Sequence, residues 1–318
     1  MKKKILICGA SGFIGTNLTY YLSKKRNFKI TAVYFKSKPR KRIRNIKYLK
    51  ADLRKFDHCV KITKNIDVVL QCAATTSGSK DIINKPYHHV TDNAVMNSYL
   101  LRACYENKVE HFIFTSCTVM YKNSQKPLSE KDLDEKKIFK KYYGVAKTKL
   151  YIENMCKFFS EISNTKFSII RHSNIYGPGD KFDLEKGHFI GSSIYKIYKN
   201  MKKYVNIYGL GNEKRDFLYI TDLLSFFDSL IKNQKSSFKI YNCCYGKSFK
   251  VKYILNKLIN FSKKNKTIKY IKNAQNLNVD ILVSNKKAFK ELGWKPRTSL
   301  DLGLRKTLNW FIKNEKFL

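Results

Sequence analysis

At 318 residues with 43% apolar content, the chain can bury a sizeable core in one large or two moderate domains. Its 64 Lys and Arg against 24 Asp and Glu give a formal charge of +40, a field that draws anions. Lysine is spread over every segment with no nucleic-acid motif beside it, so nucleic acid is not an expected partner. No apolar run approaches the roughly 18–20 residues of a membrane span, so no membrane partner is expected. The eight cysteines are scattered, without CxxC pairs or histidines at metal-ligand spacing. That pattern points to reduced thiols in a cytoplasmic protein with no metal site.

The chain opens MKKKILICGASGFIGTNL. As an export signal, its apolar stretch 5–7 is far shorter than the about 7–15 residues required, and Ile7 rather than a small residue precedes Cys8. A strand, glycine turn and helix fit better. Gly9 allows the tight exit from the strand, Gly12 lets backbone reach a pyrophosphate, and Gly15 lets the helix lie close on the sheet. Phe13 and Ile14 open that helix, at whose positive end the phosphates sit. The second strand, FKITAVYF, is followed by Lys36, Lys38 and Arg40 and by no Asp or Glu. An acid there takes the ribose hydroxyls of NAD, whereas basic groups accommodate the 2′-phosphate of NADP, so NADP(H) is the expected cofactor. Asp52, in KADLR, is placed to meet the adenine region or to cap the next helix.

Further along, NIKYLKAD, IDVVLQCAA, EHFIFTSC and FSIIRHS read as strands, separated by helical stretches such as NAVMNSYLLRACYEN. The alternation predicts an α/β fold, a doubly wound parallel (Rossmann) sheet. Residues 1–173 with about 205–245 form the cofactor half; about 174–204 with 246–318 form a smaller, interleaved substrate half. In YYGVAKTKL, Tyr143 and Lys147 are four residues apart and share a helix face. A lysine ammonium beside a phenol favours phenolate, which suits proton exchange near neutral pH. From Asn174 the pattern becomes irregular, with YGPGDKFDLEKGH as a long loop, and the tail returns to amphipathic helices ending in LRKTLNWFIKN.

GASGFIG, ADLR, QCAA, TSCTVMY, Tyr143 with Lys147, RHSNIYGPGD, RDFLYITDL, YNCCYGKSF and LGWKP together resemble the extended short-chain dehydrogenase/reductase (NAD-dependent epimerase/dehydratase) family, in its nucleotide-sugar branch. Within that branch the chain is most similar to the GDP-fucose synthases. The resemblance implies an NADPH-dependent reductase, with or without epimerisation, of a nucleotide-linked 4-keto-6-deoxy sugar. The alternative in the same fold is a nucleotide-sugar 4-epimerase with tightly bound NAD. A nucleotide-sensing binding protein is the reading outside enzymes, opposed by the presence of both Tyr143 and Lys147.

By the same resemblance, Leu53, Ala73, Ala74 and Asn174 join the cofactor contacts and Tyr143 donates the proton. Lys147 holds the nicotinamide ribose. His188, at the family's spacing from Asn174, is the epimerisation acid/base; Arg215 and Lys196 meet the nucleotide diphosphate, and Arg171 lines the sugar. A helix-pair homodimer is implied as well. Two departures stand out: Cys117 occupies the family's Ser/Thr position four residues before Tyr121, and Val119 stands where the family has its epimerising cysteine. Ser116 or Thr118 then supplies the hydroxyl, with Cys117 a candidate for proton transfer. Structural alternatives are a buried thiol for Cys117, a plain loop residue for His188, and an ion pair of Arg215 with Asp216 or Asp222. Where the family has a basic residue before LGW, the chain reads VDILVSN.

Lys36→Asp is expected to shift the preference between NADPH and NADH toward NADH, read as the ratio of their binding affinities; an unchanged ratio would mean that the 2′-phosphate is read elsewhere.

Overall fold

A computed structural model of the chain describes residues 2–40, 42–75, 86–185, 187–271 and 280–317. Seven parallel strands form the large sheet: β1 (Lys3–Cys8), β2 (Phe28–Tyr34), β3 (Lys47–Lys50), β4 (Val68–Gln71), β5 (His111–Cys117), β7 (Lys166–His172) and β11 (Phe238–Cys243). Their order is β11-β7-β5-β4-β1-β2-β3. Strands such as KKILIC and VVLQ have nearly continuous apolar runs because both faces are covered by helices. On one face α1 (Phe13–Ser23) and α6 (Ile220–Asn233) contribute Leu18, Leu22, Leu223, Phe227 and Leu230 to the core. On the other, α3 (Thr91–Glu106) and α4 (Tyr143–Ile162) contribute Leu100, Leu101, Cys104, Ile152 and Cys156. Helix α2 (Phe56–Thr63) adds Cys59 and Ile62 to that second face. This is the doubly wound sheet that the alternating pattern predicts.

A second sheet runs β12 (Ser248–Lys250), β10 (Lys214–Tyr219), β14 (Ile281–Val283) and β6 (Ser124–Leu128), with β8 (Asn174–Tyr176) also pairing with β10. Strands β9 (Tyr204–Tyr208) and β13 (Thr267–Ile271) make a separate parallel pair. Around these lie α5 (Phe189–Lys199), α7 (Val251–Ser262), α8 (Lys286–Leu292) and α9 (Leu300–Asn314). The chain thus crosses between the two sheets more than once: β10 belongs to the second, and β11 returns to the first. Two quoted segments meet here. The Asp222 carboxylate of ITDL accepts from the Arg297 and Thr298 amides just after LGWKP, and the Trp294 indole donates to the Asp222 carbonyl and the Ser225 hydroxyl.

The strand order reverses at β1, which lies between β2 and β4. Such a reversal opens a crevice at the carboxyl ends of the strands. Gly9 sits there with φ +79°, and a Cβ on it would lie 2.8 Å from the Ala73 backbone. Gly15 is tighter still, since a Cβ would fall 2.2 Å from the Gly9 carbonyl oxygen. Gly15→Ala is therefore expected to destabilise the fold by about 1–3 kcal/mol through overpacking, read by urea denaturation; wild-type stability would show that α1 can lift off the turn freely.

Candidate active site

The crevice has the shape a dinucleotide needs. Gly12 is exposed as the N-cap of α1, and a Cβ there would meet only the Gly9 oxygen, at 3.3 Å, so its outer side is open to a pyrophosphate. Phe13 and Ile14 follow half-buried, and the first-turn amides of a helix have no acceptors within it. The turn is tied to the later loop, because the Asn17 amide donates to the Phe13 and Pro178 carbonyls at 2.9 and 3.0 Å.

At the adenosine end, Lys36, Lys38 and Arg40 are all exposed. Arg54, which the motif reading passes over, adds a guanidinium 5.1 Å from the Phe35 ring. Asp52 does not cap the next helix. Both of its oxygens accept from Arg54, which holds its carboxyl below the usual range, and α2 begins after Lys55. Arg54 reaches Asp92 as well. Leu53 is a buried wall, Ala73 is half-buried and Ala74 exposed beside the crevice.

Helix α4 carries the chemistry toward this crevice, and its rotation is set by Glu153. That carboxylate accepts from the Ser116 hydroxyl at 2.6 Å and from Arg171 Nη2 at 2.6 Å. Ser116 is accordingly committed to Glu153 and does not present its hydroxyl to a substrate. Arg171 corrects a second expectation: it is 3% exposed, and its remaining donor reaches the Tyr121 hydroxyl and the Glu130 carbonyl rather than a sugar.

Tyr143 and Lys147 do meet, with the ammonium 5.7 Å from the ring. Both reach solvent. Tyr143 is 55% exposed, and Lys147 donates to Glu135, which raises its pKa. The lysine inside the site is Lys149, whose Nζ donates to the Thr115 carbonyl at 2.8 Å and lies 4.6 Å from the Phe114 ring. Its surroundings are desolvating enough to lower its pKa. The tyrosine inside is Tyr142, half-buried at the N-cap of α4, with its pKa raised by burial and with Arg215 and Cys117 as charged-state neighbours.

Cys117 ends β5, aligned across the ladder with His172 at the end of β7. Burial raises the Cys117 pKa against the pull of Lys149, so the thiol is protonated at neutral pH. His172 was missed in the sequence; burial takes its pKa to about 4, and it lies near Lys149 and His188. Thr118 is buried, with its amide on the His172 carbonyl.

His188 stands just ahead of α5, exposed to the cleft, with its pKa lowered by the surrounding protein and by Lys181 and Arg215. It shares a small cavity with Asn174, Asp180, Phe189 and Phe217. Asn174 is tethered through its amide to the Asp216 carbonyl at 2.9 Å. Arg215 lies 5.7 Å from the Phe189 ring. The ion pairs weighed for it do not form: Asp216 accepts from the Tyr245 and Gly246 amides, as Asp222 does from the tail. Lys196 is farther along α5, its ammonium 5.8 Å from the Tyr208 ring. Tyr142, Cys117, Lys149, His172, His188 and Arg215 therefore converge from α4, three strands and the α5 approach.

Known proteins match over nearly the whole chain. UDP-glucuronate 4-epimerase of Thermodesulfobacterium geofontis is 26% identical over 97% of this chain and 96% of its own length. The dTDP-4-dehydro-6-deoxyglucose reductase of Escherichia coli is 28% identical over 96% and 97%. GDP-L-fucose synthase of Azorhizobium caulinodans, at 25% over 98% and 96%, is one of several such relatives, so the narrower resemblance is not singled out. Among solved structures, UDP-glucose 4-epimerase of Thermotoga maritima with UDP-glucose superposes with a TM-score of 0.87 at 21% identity, over 98% of this chain and 99% of that one. UDP-glucuronic acid 4-epimerase from Bacillus cereus, in complex with UDP-glucuronic acid and NAD, gives 0.85 at 25% identity over 98% and 99%. The NAD dependent epimerase/dehydratase family matches residues 5–244, from the first strand through the end of the large sheet, and the chain belongs to that family.

Proposed function

We propose that the protein is a nucleotide-sugar 4-epimerase that keeps a nicotinamide dinucleotide bound between turnovers. The observation that carries this reading is the full-length likeness to UDP-sugar 4-epimerases, including the NAD-bound Bacillus cereus enzyme at 25% identity. The alternative weighed in the sequence is thereby better supported than the reductase.

The dinucleotide supplies a hydride acceptor that becomes the donor for the return step. The chain's residues do the rest. A phenol at the start of α4 takes the proton of the sugar hydroxyl as the carbon–hydrogen bond breaks, and gives it back when hydride returns to the opposite face. A lysine on the same helix stabilises the phenolate. Arg215, beside His188 and Phe189, is positioned to pair with the diphosphate. Phe189 and Phe217 narrow the cleft there and limit water.

The reductase reading keeps one specific observation in its favour: the absence of a carboxylate after β2, with Lys36, Lys38 and Arg40 exposed and Arg54 over Phe35. These groups suit a 2′-phosphate. The implied homodimer has a surface suited to it on α3 and α4, where Tyr99, Tyr105, Tyr151, Phe158 and Ile162 are exposed.

The purified protein, incubated with UDP-glucose or UDP-glucuronate and no added cofactor, is expected to form the C4 epimer and to release NAD on denaturation. Stoichiometric NADPH oxidation by a nucleotide-linked 4-keto-6-deoxy sugar, with no epimer formed from the UDP-sugars, would establish the reductase instead.

A further inference from the structure

We propose that Tyr142 and Lys149, seven positions apart, form the proton-transfer pair of this site in place of Tyr143 and Lys147. The inference rests on the nucleotide-sugar reading for its chemistry and on the rotation of α4 for its geometry. A helix turns by about 100° per residue. With Glu153 pinned inward by Ser116 and Arg171, Tyr142 and Lys149 project within about 40° of it, whereas Tyr143 and Lys147 project about 80° and 120° away. The contacts agree. Lys149 reaches the Thr115 carbonyl near the end of β5, and Lys147 reaches the exposed Glu135.

Seven residues span about 10.5 Å of helix axis, against about 6 Å for four. Two features close the gap. Helical side chains lean toward the N-terminus, which brings the Lys149 stem back toward Tyr142. Tyr142 also precedes the helix proper, at φ −99° and ψ 2°, which frees its ring from the helical stack. Both side chains are electrostatic neighbours of the Cys117 thiol at the strand end. Lys149 donates to a neutral carbonyl and has donors left over for a phenolate and ribose hydroxyls, whereas Lys147 is ion-paired with Glu135.

The step balances. With a bound nicotinamide dinucleotide to supply a hydride acceptor, the sugar hydroxyl O–H bond would break and its proton would pass to the Tyr142 oxygen, held as phenolate by the Lys149 and Arg215 cations against the burial that raises its pKa, leaving a ketone and a phenol. In the return half, hydride adds back to the carbon and Tyr142 returns the proton to the oxygen, so nothing is consumed.

Two measurements test the pair. The first needs no sugar: titration of NADH fluorescence on the cofactor-stripped protein. Lys149→Met and Lys149→Gln are each expected to weaken NADH binding at least about tenfold, the loss of one charge-assisted hydrogen bond. Lys147→Met should stay within about twofold. Because the Gln variant retains a donor for the Thr115 carbonyl, an equal loss in both Lys149 variants excludes a folding defect. The reverse order, or no loss in either Lys149 variant, overturns the assignment. The second is turnover: Tyr142→Phe is expected to lower kcat by about 100-fold or more with NADH affinity retained, and Tyr143→Phe to change it less than about threefold. An inactive Tyr143→Phe beside an active Tyr142→Phe overturns the pair while leaving the epimerase reading intact. A wild-type protein that binds NADH but turns over no nucleotide sugar overturns that reading, and the lysine titration still decides this one.

Discussion

The ion pair between Glu153 and Arg171 decides which way α4 faces, and the site follows from that. Their side chains are 3% and 4% exposed, so both charges have left water. Such a pair persists only when its remaining lone pairs and protons are satisfied. Here Ser116 completes Glu153, and the Tyr121 hydroxyl and Glu130 carbonyl complete Arg171. Losing one partner of a buried pair costs about 3–5 kcal/mol, far more than the preference of any exposed residue on α4. The helix cannot rotate to bring Tyr143 inward without giving up this network. The network also spreads outward, because Tyr121 donates to Asn242 and Asn242 donates to the Leu128 and Ser284 carbonyls, tying β5, β6, β11 and the start of α8 together.

The second constraint is backbone proximity where the strand order reverses. Gly9 and Gly15 leave no room for a Cβ, while Gly12 leaves its outer side open. The same three glycines therefore do two opposite things, closing the turn against β4 and α1 and exposing its far side. Asn17 carries this rigidity into the substrate side through the Pro178 carbonyl. Cofactor turn and YGPG loop are thus positioned relative to each other by one amide.

The fold was legible in the sequence because parallel sheets announce themselves: short apolar runs alternating with helical periodicity need no long-range information. The glycine turn was legible for the same reason. The rotation of α4 was not, because an i,i+4 spacing fixes which residues share a face and says nothing about where that face points. That direction is set by Ser116 and Arg171, which reach Glu153 across 37 and 18 positions of chain. A signal was present all the same. Glu153 interrupts the buried stripe of α4 and Arg171 interrupts the apolar run FSIIRH, and two opposite charges buried in apolar elements call for each other. The expectation that Arg171 lines the sugar failed, since a basic residue in the middle of a buried strand meets protein first.

The charge of the site depends on what enters it. His172 and His188 are both held neutral, by burial and by the cations Lys149, Lys181 and Arg215. The Cys117 thiol is also protonated, so the positive charge near these groups rests on Lys149, Lys181 and Arg215. On the proposed function, a nucleotide diphosphate would bring negative charge to Arg215 and so oppose the cationic part of the shift on His188. Binding would then raise the proton affinity of His188. On that reading, ligand charge would tune the His188 side of the cleft and a lysine the α4 side, so that the two sides of one cleft would differ in proton affinity.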